Sequence, residues 1–95
     1  MNNIDKLLIE MLQFKNIKTE AISYQRYEEA ASARDSEKTL AKEVYEILTG
    51  NDNYRWDELE RVISEYCQNN YGFSYRDADS LKQLKRQVKL KDLGI

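Results

Sequence analysis

The chain contains no proline and only three glycines, Gly50, Gly72 and Gly94, in 95 residues. Proline removes a backbone donor and glycine opens the left-handed region, so these two residues supply most of the local signals that stop a helix. A chain with so few of them, and with Leu, Glu, Lys, Ala and Gln recurring throughout, favours helices joined by short connections. The expected class is therefore all-α, a small single-domain bundle of about four helices with an N-terminal helical hairpin.

Apolar spacing places the elements. Asn2 or Asn3 can cap a first helix in which Ile4, Leu7, Leu8, Met11 and Leu12 recur at intervals of three and four, with Phe14, Ile17, Ala21 and Ile22 extending the apolar surface to about Ser23. A second helix runs from near Tyr27 to Leu48, where Thr49-Gly50-Asn51-Asp52-Asn53 is the clearest stop signal. The third follows that cluster, carries Trp56, Leu59, Ile63 and either Tyr66 or Cys67 on one stripe, and ends near Asn69-Asn70. After the aromatic connection Tyr71-Gly72-Phe73-Ser74-Tyr75, Ser74 and Asp77 are spaced as a capping box for a last helix holding Leu81, Leu84, Val88 and Leu90, and the tail from Asp92 to Ile95 is expected to fray. Residues 1–48 then form the hairpin and residues 54–95 two further helices of the same domain. The boundary at Ser23-Tyr24-Gln25-Arg26 has neither glycine nor proline, so one uninterrupted helix from Asn3 to Leu48 competes with the hairpin. A turn there lets the two apolar faces bury each other, which favours folding back.

Charge and composition narrow the function. The formal net charge is −2, which gives no global affinity for polyanions. Residues 1–70 hold nine Lys/Arg and fourteen Asp/Glu, whereas residues 71–95 hold six and three, so the C-terminal quarter is basic. There is no histidine and a single cysteine, Cys67, which rules out the usual zinc sets and an internal disulfide. No Gly-rich loop follows a strand, and the carboxylate pairs Glu28-Glu29 and Asp77/Asp79 read as solvated or capping residues, so neither enzyme chemistry nor a cofactor or metal is expected. Cys67 reads as a small core residue. No run is apolar enough to span a membrane, and Met1-Asn-Asn-Ile-Asp5 lacks the basic start and apolar stretch of a secretory signal, so the expected location is the cytoplasm.

Two surfaces are candidates for binding. On the last helix Lys82, Lys85, Arg86, Lys89 and Lys91 follow the aromatics Tyr71, Phe73 and Tyr75, a pairing that suits a nucleic-acid backbone and its bases. The same lysines are equally the ordinary solvated side of an amphipathic helix, or a counter-charge for the acidic body. On the second helix Tyr27, Ala30, Arg34, Glu37, Ala41, Val44 and Leu48 are spaced 3, 4, 3, 4, 3, 4, a coiled-coil seam interrupted by Arg34 and Glu37. Polar layers in such a seam fix register and partner choice, and small residues such as Ala30 and Ala31 allow close approach of another helix. Asp35, one residue off the seam, can orient Arg34 or pair locally with Lys38 or Thr39; all four charges also suit a solvated helix face.

The pattern Ala21-x5-Tyr27-Glu28-x-Ala30-Ala31-x2-Arg34-Asp35-x4-Leu40 resembles the UVR motif, named from the UvrB and UvrC excision-repair proteins and found also in Clp-type ATPases and their regulators. The resemblance covers residues 21–40. It implies a helical hairpin that turns just before the aromatic-Glu pair and serves as a protein–protein contact, with another copy of itself or with a related motif on a partner. It further implies that Tyr27, Ala30, Ala31 and Leu40 are contact or hairpin-packing positions and that Arg34 and Asp35 are the polar determinants. Where the family has large aliphatic residues before the Arg-Asp pair and two residues after it, this chain has Ala33 and Glu37. The expected function is a non-enzymatic protein-interaction module, either a homodimer or the accessory or inhibitory partner of a larger machine, including a mobile-element protein that blocks a host machine. The alternative is a small nucleic-acid-associated protein using the basic last helix.

Overall fold

The computed structural model describes residues 3–53 and 55–92, the side chains of Lys91 and Asp92 excepted. The Asn2 cap, the tail from Leu93 and the Lys91 side chain lie outside the described residues. Four helices follow in order: α1 Asn3–Ser23, α2 Tyr27–Thr49, α3 Trp56–Tyr71 and α4 Ser80–Asp92. Among the described residues there is no strand, and no helix is long and apolar enough to cross a membrane.

α1 and α2 form the expected hairpin, and the turn between them is made without glycine. Gln25 takes a left-handed φ of 60°. The Arg26 N–H then donates to the Ala21 carbonyl at 2.8 Å and the Gln25 N–H to Ile22 at 3.0 Å, the paired bonds of a Schellman stop. Gly50 and Gly72 end α2 and α3 at φ 70° and 74°, each donating its N–H four residues back, to Glu46 and Gln68. Neither α2 nor α3 has a side-chain N-cap, because Arg26 and Arg55 occupy those positions.

α3 packs against α2, and α4 against α1. The core joins Leu8, Met11 and Leu12 of α1 with Ala41, Val44 and Tyr45 of α2, Leu59, Ile63 and Cys67 of α3, Phe73 and Tyr75 of the connection, and Leu84 and Val88 of α4. All the hairpin's contributions to it therefore come from its open end. Between Leu12 and Ala41 the buried residues are Ala21, Ala30, Ala33 and Glu37 alone. A 23-residue helix is roughly 34 Å long, so α2 reaches well past the core, and the molecule measures 42 × 30 × 18 Å. Its radius of gyration is 13.5 Å, against roughly 12 Å for a compact chain of this length.

Several expected placements change. The buried stripe of α2 is Ala30, Ala33, Glu37, Ala41, Val44 and Tyr45, so Ala33 takes the inward position assigned to Arg34, and Tyr27 and Arg34 are exposed. Two alanines at the α1 interface let the helices approach closely, which no arginine would permit. On α1 Ile17 and Ile22 point to solvent rather than to the core. On α3 the stripe resolves to Leu59, Ile63 and Cys67, with Trp56 at its exposed end. α4 begins at Ser80, later than a cap at Ser74 requires; the Ser74 hydroxyl instead accepts the Arg76 N–H at 3.3 Å within a turn.

A polar contact ties the first helix to the end of the third. Asp5 is fully buried and accepts a hydrogen bond from the Tyr71 hydroxyl. Burial and that bond hold the Tyr71 phenol well above the usual tyrosine range.

Candidate functional site

The hairpin's free half carries most of the residues in the 21–40 pattern, and they divide by direction. Tyr27, Glu28, Arg34 and Asp35 are exposed, Ala31 is half-buried, Ala30 and Glu37 are buried against α1, and Leu40 rests on the core. Ala30 therefore packs the hairpin itself rather than an outside helix. Tyr27, Ala31, Arg34 and Lys38 stand at i, i+4, i+7 and i+11 and so share one flank of α2, beside the buried stripe. Around the tip Ile17, Ile22, Tyr24 and Tyr27 are 48%, 52%, 66% and 65% exposed, an unusual concentration of large apolar side chains in water. Arg26 lies over the Tyr24 ring at 5.7 Å and reaches Glu29 at 3.8 Å. A shallow depression beside the tip is lined by Phe14, Ile17, Glu29, Ser32 and Ala33.

Below the tip, where α3 meets the hairpin, lies a concave site of about 330 Å³. Its floor is Glu37, 4% exposed, which Lys18 of α1 pairs at 3.2 Å. A buried carboxylate needs such a partner, and the alanines on either side leave the lysine room to reach it. Tyr75 forms one wall; burial and the adjacent Glu37 carboxylate keep its hydroxyl far above the usual range. Lys15 crosses from α1 to the α3–α4 connection, donating to the Tyr75 carbonyl at 2.6 Å, the Asp77 carbonyl at 2.8 Å and the Ser80 hydroxyl at 3.3 Å. Partial burial lowers its ammonium below the ordinary lysine value. Trp56 stands at the mouth with the Lys38 ammonium 5.3 Å from its ring centre, and Glu60 on the rim is bound by Arg76 at 3.2 Å.

Arg34 and Glu37 thus meet in one site, as two members of the same pocket, while Asp35 turns away to solvent. Sequence reasoning missed Lys15, Lys18 and Trp56 as site residues. The available signal was the i, i+3 spacing of Lys15 and Lys18 on the helix that must face α2; nothing local placed Trp56 against Lys38.

The α4 cations are separate from this site. Lys82, Lys85, Arg86 and Lys89 are exposed on one face, opposite Leu84 and Val88. None forms an ion pair with a described residue. Cys67 is fully buried, and burial pushes its thiol up to about 12, as suits a packing residue.

Comparison of the chain with protein-family models, with curated proteins and with solved structures finds no match.

Proposed function

We propose that this protein is a non-enzymatic binding module that docks onto another protein through the free half of its α1–α2 hairpin. The observation that carries this reading is the uncovered tip. α3 and α4 bury the open end of the hairpin, yet Ile17, Ile22, Tyr24 and Tyr27 at the other end remain in water, flanked by Arg26, Glu28, Glu29, Arg34 and Asp35. Aromatic anchors ringed by charges of both signs are the composition of a recognition patch. The resemblance of residues 21–40 to the UVR motif supports the same use, with Tyr27, Arg34 and Asp35 outward and Ala30 and Leu40 holding the hairpin. Small accessory and inhibitory proteins of larger machines act by this kind of docking.

The test compares three baits in capture from the host: the unaltered chain, a Tyr24→Ser/Tyr27→Ser variant, and a Lys82→Gln/Lys85→Gln/Arg86→Gln variant. Molar mass across a concentration series separates self-association from a foreign partner. Loss of the captured protein, or of the dimer, in the tip variant alone supports the proposal. Equal behaviour of all three baits refutes it.

A second reading has its own observation, four exposed cations on one face of α4 that form no ion pair with a described residue. That face supports weak, salt-sensitive binding of a nucleic-acid backbone, checked by DNA and RNA titrations between low and moderate salt. Neutralising Lys82, Lys85 and Arg86 should abolish it.

A further inference from the structure

The pocket between α1, α2, α3 and the α3–α4 connection holds more positive charge than its own carboxylates neutralise. Six charged residues line it: Lys15, Lys18, Arg34, Lys38, Glu37 and Glu60. Glu37 is matched by Lys18 and Glu60 by Arg76 from outside the lining. That leaves Lys15, Arg34 and Lys38 facing the pocket without a carboxylate at ion-pair distance among the described residues. Their roles differ. Lys15 has three donors and directs them to two carbonyls and a hydroxyl, so it supplies field rather than a further bond. Lys38 lies over the Trp56 ring, and the Arg34 guanidinium has no hydrogen-bond or ion-pair partner among the described residues. The walls are low-dielectric, with Ala41, Leu59, Ile63 and the Tyr75 ring behind the charges, which strengthens their action on anything that enters.

We propose that this pocket is an anion-binding site for a compact polyvalent anion of the phosphate or carboxylate class, gripped by Arg34 and Lys38 over the fixed charge of Lys15, with Trp56 at its mouth. The volume of about 330 Å³ accommodates a small phosphorylated or polycarboxylate group, free or carried on a larger molecule. This inference does not rest on docking at the hairpin tip.

Trp56 is the single tryptophan of the chain, so its fluorescence reports on the mouth of the pocket directly. Inorganic phosphate and citrate are titrated separately into the full chain at constant ionic strength held by chloride. The expected result is a saturable change in Trp56 emission with at least one of them. Phosphate alone assigns the phosphate class, citrate alone the carboxylate class, and both a site selective for charge rather than geometry. Arg34→Gln should raise the midpoint roughly tenfold, the loss of one charge-assisted bond. Lys82→Gln/Lys85→Gln on α4 should leave it unchanged. Arg34 is exposed, so its replacement keeps the fold, which circular dichroism verifies. Amide shift mapping on the unaltered chain gives a readout independent of any variant, with shifts expected at Arg34, Lys38 and the Trp56 indole. No saturation with either anion, an equal response to chloride, an equal effect of the α4 variant, or shifts centred on α4 would overturn the proposal.

Discussion

Replacing Gln25 by glycine should stabilise this protein, and the magnitude follows from three helix ends. α1, α2 and α3 each end at a residue with positive φ, namely Gln25 at 60°, Gly50 at 70° and Gly72 at 74°. Only the first carries a side chain, and a side chain in the left-handed region costs about 1–2 kcal/mol. Gln25 is exposed, so truncating it removes no packing. Glycine recovers the strain but adds freedom to the unfolded chain, an opposing effect of about 0.4–1 kcal/mol. The net gain expected for Gln25→Gly is about 0.5–1 kcal/mol, or about 2–8 °C in Tm for a domain of this size. Gly50→Ala and Gly72→Ala should lose a similar amount, because a Cβ at either position meets nothing within 4 Å and the penalty is conformational alone. Urea and thermal unfolding of the three variants measure this. If both alanine variants fall while Gln25→Gly is unchanged or less stable, Gln25 does not hold the left-handed stop, and the turn between α1 and α2 is made some other way.

Other outcomes follow from the buried polar contacts. Lys18→Met strands the Glu37 carboxylate and should cost about 1–3 kcal/mol, less than a fully buried pair because Lys18 keeps partial access to water, whereas a Lys18→Met/Glu37→Leu double variant should recover most of that loss in urea unfolding. Tyr71→Phe removes the hydrogen bond to buried Asp5 and should cost about 1.5–3 kcal/mol by the same measurement. Alkaline pH should destabilise the fold. Cys67, Tyr71 and Tyr75 have raised pKa values, so the unfolded chain releases these protons from about pH 9 to 10 while the folded chain retains them, and their stabilising contribution is lost as pH rises further. Lys15, lowered by burial, acts in the opposite sense between its folded value and 10.5, but as one group against three. Denaturation midpoints from pH 8 to 11 should therefore fall, and Cys67→Ala should flatten the slope; a midpoint that rises across this range would contradict the assignment.

The helices were legible because they depend on short-range periodicity. Leu8, Met11 and Leu12, or Leu59 and Ile63, announce an inward face whatever lies opposite. Near the ends of elements the reading weakened. Trp56 and Ile17 fit apolar stripes by spacing, yet each meets α2 only along one edge, Trp56 at Lys38 and Ile17 beside Ala33, and stays 40% and 48% exposed. Arg34 and Ala33 are adjacent, and a single residue of rotation decides which is inward; the strict alternation of threes and fours selected Arg34, while the close approach of α1 selected Ala33. Ser74 and Asp77 match a capping box in spacing, but Lys15, sixty residues from Tyr75 along the chain, fastens that segment into turns and α4 starts later.

What the sequence determined by itself is the all-α class, the stop at Gly50, and the basic exposed face of α4, all consequences of local backbone chemistry and amphipathic period, whereas α3 runs past the expected end at Asn69-Asn70 to Tyr71. The tertiary structure decided where α1 turns, since Gln25 carries no glycine-like signal and adopts the left-handed conformation within a hairpin whose faces bury each other. It also decided that Glu37 is a buried anion matched by Lys18, that Arg34, Lys38 and Trp56 line one pocket with it, and that the hairpin tip remains open. Each of these depends on which side chains from distant segments share a space, and that is fixed only when the helices pack.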